Sequence, residues 1–154
     1  MDGDPRPYMG TADVGIDEFR DTHALEADLF VLKHDTVVDV VHLSLDAGTE
    51  NGDRKFIILC SFTGTVPGTT LPGGLIIPIN WDAVTSYVLQ HIFAPYFVNF
   101  FGTLDGMGQA EARFEPGGIL TGFYGWTMSF AYAVGPPPAW DFASNPIQVE
   151  IVKE

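Results

Sequence analysis

The residues best suited to chemistry in this sequence of 154 residues stand in one acidic loop. Asp46, Glu50 and Asp53 lie around Asn51 in the stretch "DAGTENGDRK". Carboxylate and amide oxygens are the hard ligands that calcium prefers, so a calcium site is the best metal hypothesis. The stretch lacks the regular alternation of a known calcium loop, and a plain solvated turn is the competing interpretation. No other cofactor is expected.

Signatures of catalysis are missing from the sequence. It contains no nucleophile elbow, no phosphate-binding loop, no zinc-protease motif and no dinucleotide fingerprint. The four histidines His23, His34, His42 and His91 do not have metal-ligand spacing. The single cysteine, Cys60, lies in the apolar run "KFIILCSF", which is typical of a buried, inert thiol. We therefore expect a protein that is not an enzyme.

Aromatic residues beside turns offer a different kind of site. Trp81, Tyr96 and Trp140 each stand next to a turn, where an exposed ring could stack on a sugar. The competing interpretation places the two tryptophans in the core, which we expect for Trp81 and leave open for Trp140. Polysaccharide binding is thus the alternative function, as a carbohydrate-binding accessory module of an extracellular enzyme or adhesin.

Charge and hydropathy exclude several classes of partner. The net charge is −13 and Lys and Arg together number only 7, which excludes a nucleic-acid-binding protein. The same charge disfavours binding to an anionic membrane surface. No run of 18 apolar residues is present, so membrane insertion is not expected.

The first 23 residues differ in composition from the rest of the chain. They are polar and rich in Gly and Pro, with four scattered apolar residues: Tyr8, Val14, Ile16 and Phe19. This pattern predicts an N-terminal arm or linker over 1–23 and a single domain over 24–154. An arm with spaced apolar side chains could pair with a second copy, and the small residues of 125–133 would allow close approach. A disordered linker is the alternative.

Short apolar runs separated by turns dominate the domain. Val41, Leu43 and Leu45 alternate with polar residues, as do Ile147, Val149 and Ile151 near the other end. This period of two indicates half-buried strands. The pattern predicts an all-β fold, an antiparallel β-sandwich of about eight strands with one short inserted helix near 82–92.

Local signals predict the turns and the helix in more detail. Asn51-Gly52 predicts a hairpin, and Gly106 and Gly108 suit the positive φ of another turn. Asn80 or Asp82 could cap the helix. Its apolar face would comprise Val84, Tyr87, Val88, His91 and Ile92.

A string of short signatures resembles a known β-sandwich module. They are, in order, "LSLDAG", "SFTGTVPGTTLPGG", "INWDAVT", "FFGTLDGMGQAEARF", "GWTMSFAYAV" and "WDFASNPIQVEIV". From about Ala24 onward the chain resembles the module that recurs, often C-terminally, in large secreted or surface proteins of bacteria. The resemblance implies an extracellular or cell-surface module without catalytic residues. The acidic loop departs from the usual pattern, in which this loop is small and nearly neutral.

These observations together predict a non-catalytic structural or adhesive protein that assembles with itself. The expected partner is a second copy, in an oligomer or filament formed through the N-terminal residues, with Trp140 as a further contact. Polysaccharide is the second choice of partner.

Overall fold

Alternation of apolar and polar residues builds the longer strands. In β3 (Val41–Asp46) the side chains of Val41, Leu43 and Leu45 are buried and those between them face solvent. Strands β9 (Gln109–Phe114) and β12 (Ile147–Val152) follow the same pattern. Successive side chains of a strand point to opposite faces, so each of these strands places one face on the core.

The computed structural model describes residues 24–33, 39–120, 122–137 and 139–153. Its remaining elements are β1 (Leu25–Ala27), β2 (Val31–Lys33), a 3₁₀ turn (Thr49–Asn51), β4 (Lys55–Ser61), β5 (Thr69–Thr70), β6 (Ile76–Ile77), α1 (Ala83–Gln90), β7 (Phe97–Val98), β8 (Phe101–Thr103), β10 (Thr127–Gly135) and β11 (Phe142–Ala143). Within this part of the chain, no helix has the length and apolar character needed to cross a membrane.

Two sheets pack over one main core, which confirms the predicted β-sandwich with a short helix. One sheet has the order β1-β3-β9-β7, and the other has the order β2-β12-β10-β4-β8 with β11 beside β10. The strand pairs are antiparallel apart from the parallel pair β2–β12. The strands outnumber the eight expected because apolar runs such as 96–104 split between the two sheets.

A short hairpin adds a third layer. Strands β5 and β6 pair with each other, and Leu71, Ile77 and Ile79 pack on Ala131 and Ala133 at the outer face of β10. For Ala131 and Ala133, the prediction that the small residues of 125–133 allow close approach of a second copy is therefore wrong, because the same chain covers them. Gly125 and Thr127 on the same face are exposed.

Two predicted turns differ in the structure. Strands β3 and β4 belong to different sheets, so Asn51-Gly52 does not close a hairpin between them. The chain instead forms a 3₁₀ turn, after which Gly52 is extended. At the second turn only Gly108 has a positive φ, of 79°. It leads from β8 to β9, which again lie in different sheets.

The helix is where it was expected, but its faces differ from the prediction. Asp82 is the N-cap, and Thr85 and Val88 are the buried residues of α1. His91, expected on the apolar face, is exposed and its Nδ1 lies 3.0 Å from the carbonyl oxygen of Tyr87. Trp81 was expected in the core, yet 44% of it is exposed. Its indole N–H donates to Ser86 on the helix surface.

Candidate functional site

An apolar pocket of about 610 Å³ opens at one end of the sandwich. It lies where β9 ends and β10 begins, and its buried floor is formed by Phe97, Phe114, Leu120 and Met128. Ligand pockets for small molecules or single side chains fall in this range of volume and are mainly apolar. These four residues belong to the main core, so the pocket reaches that core.

Three aromatic rings form one rim of the pocket. The ring centroids of Phe62 and Phe123, and of Phe62 and Trp126, are 5.2 Å apart, and those of Phe123 and Trp126 are 5.5 Å apart. The backbone places Trp126, because its N–H donates to Phe123 and its carbonyl accepts from Ile151 on β12. Trp126 remains 47% exposed, so part of its indole ring at the rim is open to solvent.

The helix forms the opposite rim through Ala83, Val84 and Tyr87. A second, smaller groove of about 390 Å³ also has Phe97 in its lining. Phe93 borders this groove, is 82% exposed and stands 6.3 Å from the ring of Phe101.

Asp82 is the charged residue at the pocket mouth, and both oxygens of its carboxylate accept hydrogen bonds from the same chain. One oxygen accepts from the backbone N–H groups of Val84 and Thr85, which caps the helix. The other accepts from Ser61, from the N–H of Phe62 and from Thr63.

Partial burial raises the pKa of Asp82, but the hydrogen bonds from Phe62, Thr63, Thr85 and Ser61 outweigh that effect and leave it below the ordinary value. A general base needs a pKa raised towards neutrality. Asp82 is therefore a structural anion that ties α1 to the end of β4, and it is poorly suited to proton transfer.

The structure does not bring the proposed calcium ligands together. Among the described residues no group of three or more His, Cys, Asp or Glu side chains could hold a metal ion. The Asp46 carboxylate accepts from the N–H of Gly48 and from Gln109. Asp53 has a φ of 64° at the turn into β4, and Glu50 lies over Gly48.

The amide at the centre of this loop has a structural role. Asn51 is buried, donates to the carbonyl of Ala47 and accepts from Arg54 at 2.6 Å. Arg54 in turn forms an ion pair with Asp141 at 2.7 Å. These bonds stabilise the loop against β4 and the segment before β11, so its amide oxygen is not available to a metal.

The remaining predicted residues are placed apart from the pocket. Trp140 is half-buried and packs against the small core cluster under the β5–β6 hairpin. Tyr96 is half-buried against the main core. Cys60 is fully buried, as expected, and burial raises the pKa of its thiol well above the ordinary value. Tyr8, Val14, Ile16 and Phe19 lie outside the described residues.

Sequence reasoning missed the pocket altogether. Trp126 directly precedes β10, which begins one residue later, at Thr127. The available signal was the cluster of aromatic residues at 123–126 directly before a strand. Comparison with protein families, curated proteins and solved structures found no match to this chain.

Proposed function

We propose that this protein is a non-catalytic structural or adhesive module, secreted or held at the cell surface, that assembles with itself. In this proposal the N-terminal residues 1–23 of one copy dock on the apolar pocket of another. The observation that carries it is the open pocket whose charged residue, Asp82, is already bonded within the chain. Such a surface can bury apolar side chains but offers little for a reaction.

The chemistry of the pocket favours a peptide segment over a sugar. Sugars are held by hydrogen bonds as well as by stacking, and here Thr63 and Asp82 already bond to each other. An extended segment with spaced apolar side chains would match the pocket. Polysaccharide binding has less support, because Trp140 is half-buried and the indole N–H of Trp81 is engaged by Ser86.

Residues 1–23 have the composition of such a segment. Val14 and Ile16 are two residues apart, so both would face the same way if the segment were extended. Phe19 adds an aromatic anchor, and full burial of one such side chain contributes about 1.5–3 kcal/mol. The resemblance to secreted and surface modules supports the proposed location.

Sedimentation velocity of the intact chain over a wide range of concentration tests this proposal. We expect the wild type to form assemblies, and a variant with Tyr8, Val14, Ile16 and Phe19 all changed to Ser to be monomeric. Ala83→Trp would fill the pocket mouth and also yield monomers. Leu89→Trp, at an exposed site of the same helix away from the pocket, is the matched control and should assemble.

Two outcomes would contradict the proposal. One is a wild-type chain that stays monomeric at every concentration. The other is assembly that persists in both the four-fold Ser variant and Ala83→Trp. Trp126 fluorescence gives an independent readout, because docking should change the emission of this indole, and Trp126→Phe should abolish that change.

A further inference from the structure

The outermost strands of the two main sheets carry main-chain groups that point away from their sheet. An unpaired N–H or carbonyl at such an edge can pair with a strand of another chain. The outermost strands are β1 and β7 in one sheet and β2 and β8 in the other. The bonds made by their outward main-chain groups decide which edge is open to a partner.

Side chains close the edge at β1 and at β2. Leu25 donates its outward N–H to Asn145 Oδ1 at 2.9 Å, and Asn145 Nδ2 donates to the carbonyl of Leu25 at 3.0 Å. On β2, Lys33 donates its N–H to Asp39 Oδ2 at 2.9 Å, and its carbonyl accepts from the N–H of Asp39 at 3.1 Å. In each case one Asn or Asp residue takes the place of an added strand.

The edge at β7 is closed in a similar way. The outward N–H of Phe97 donates to the carbonyl of Ala94 at 3.1 Å. β7 has two residues and pairs with only part of β9. Beyond its end, the side chain of Asn99 donates to the carbonyl of Glu111 on β9 at 2.8 Å. This edge is therefore also occupied by groups of the same chain.

Strand β8 differs from the other three. The carbonyl of Phe100 and the N–H of Leu104, on either side of β8, bond to β4 and to the residue before it. Because main-chain groups alternate in direction along an antiparallel strand, those of Phe101 and Thr103 point outward. Within the described part of the chain, no hydrogen bond is made to these outward N–H and carbonyl groups. Neither outward residue of β8 is closed.

An apolar groove lies beside this open edge. Phe101 lines the groove of about 390 Å³, together with the exposed Phe93. Thr103, two residues further on the same face of the strand, is exposed. When a peptide adds to a sheet edge, main-chain bonds give affinity and a pocket beside the strand selects alternate side chains. The groove favours a large apolar side chain opposite Phe101 and a polar one opposite Thr103.

We propose that the edge of β8 binds an extended peptide segment of another protein, which adds to this sheet as a further strand. The segment pairs with Phe101 and Thr103 and places a large apolar side chain against Phe93. A second copy fits the edge less well, because it carries the same net charge of −13. The site is separate from the pocket, whose lining includes neither Phe101 nor Thr103.

Fluorescence anisotropy of a labelled peptide with the intact protein tests the proposal. The probe is Lys-Val-Thr-Val-Phe-Val-Thr-Val-Lys, whose Phe and Thr side chains share one face of an extended strand. We expect saturable binding by the wild type. The same peptide with N-methyl groups on Phe and both Thr residues cannot donate to β8 and should not bind.

A pair of variants at Thr103 tests the role of the main chain. Thr103→Pro removes the outward N–H and leaves the bonds of Phe100 and Leu104 in place, so the peptide should bind about tenfold more weakly or worse. Thr103→Val keeps the N–H and loses only the hydroxyl that accepts from Lys55, and it should bind like the wild type. Phe93→Ser, at an exposed position, should weaken binding without disturbing the fold.

Hydrogen exchange supplies a readout that does not depend on the variants. The amides of Phe101 and Thr103 should exchange fast in the free protein and become protected when the peptide is added. Absence of binding by the wild type, or equal binding by Thr103→Pro and Thr103→Val, would overturn the proposal. Self-association that is lost in Thr103→Pro but kept in Ala83→Trp would assign the edge to a second copy and would also overturn it.

Discussion

Tyr132 on the central strand β10 donates a buried hydrogen bond of 2.8 Å to the carbonyl of Ala24, 108 residues earlier in the chain. The same carbonyl accepts from the N–H of Asp46 on the other sheet. The first described residue is thus joined to both sheets of the sandwich. Burial raises the pKa of Tyr132 above its ordinary value, with a smaller contribution from the charge of Asp46.

Removal of this hydroxyl should weaken the fold by a modest amount. Tyr132→Phe loses the buried bond while the Ala24 carbonyl keeps its second donor, so we expect a loss of about 1 kcal/mol in the free energy of unfolding. Urea denaturation followed by tryptophan fluorescence measures it. Tyr87→Phe, at an exposed tyrosine, should change the stability by less than about 0.5 kcal/mol. Equal losses in the two variants would contradict the assigned role of Tyr132.

The buried thiol of Cys60 should make the protein less stable in alkali. Its pKa is raised in the folded state by burial, with a smaller contribution from the charge of Asp82. The unfolded thiol ionises near its ordinary pKa of about 8.5, so this contribution to stability is complete below that pH and is lost as pH rises above it. Each pH unit above this value should lower the free energy of unfolding by up to about 1.4 kcal/mol. In Cys60→Ala the free energy of unfolding should therefore fall less steeply with pH. Urea denaturation at several pH values between 8 and 10 compares the slopes, and identical slopes would refute the prediction.

Loss of the Asp82 carboxylate should destabilise both α1 and the end of β4. Asp82→Ala removes the helix cap and three further hydrogen bonds to a charged group, for an expected loss of about 2–4 kcal/mol. Asp141→Ala is the control, since it removes an exposed ion pair with Arg54 that contributes about 0–1 kcal/mol. Chemical denaturation near neutral pH measures the free energy of unfolding of both variants. Comparable losses in Asp82→Ala and Asp141→Ala would contradict a stabilising role of the hydrogen bonds around Asp82.

Asp82 also predicts how stability responds to acid. Although burial opposes ionisation, the net pKa is lowered in the folded state. Its contribution is therefore present above the ordinary aspartate pKa of about 3.9 and is lost as pH falls through the lower folded value. The acid-induced loss of stability should be shallower in Asp82→Ala than in the wild type. An equally steep loss of stability in both proteins would contradict a lowered pKa of Asp82 in the folded state.

Gly108 and Gly106 should respond differently to the same substitution. Gly108 has a φ of 79°, and an added Cβ would collide with the backbone carbonyl of Gly48. Gly106 has open space around the equivalent position. Gly108→Ala should cost at least about 2 kcal/mol, whereas Gly106→Ala should be nearly neutral. The thermal midpoints of the two variants measure the difference, and similar midpoints would show that the turn can relax.

Much of the local structure could be predicted from the sequence. The alternation in β3 and β12 identified their buried residues, because side-chain direction in a strand follows directly from backbone geometry. The apolar run around Cys60 indicated a buried thiol, and Cys60 is fully buried on β4. Asp82 was one of two predicted caps. Capping depends on a few neighbouring residues, and so local sequence was sufficient.

The pairing of strands and the exposure of individual side chains were less predictable from the sequence. Asn51-Gly52 predicted a hairpin, yet β3 and β4 joined different sheets because partners along a strand outweigh the preference of a turn. His91 was expected on the apolar face of the helix and Trp81 in the core, but both are exposed. Within α1, only Thr85 and Val88 are buried. Helical periodicity indicates a face without saying how much of it the rest of the protein covers.

The β class, the positions of the main strands and the capped helix could be predicted from the sequence, because these features depend on stereochemistry among near neighbours. The tertiary structure alone decided that Phe62, Phe114 and Trp126 meet around a pocket, and that Ala24 is bonded to both sheets. Both features arise from contacts between residues far apart in the chain. Such contacts are chosen by the packing of the whole sandwich, which no local pattern specifies.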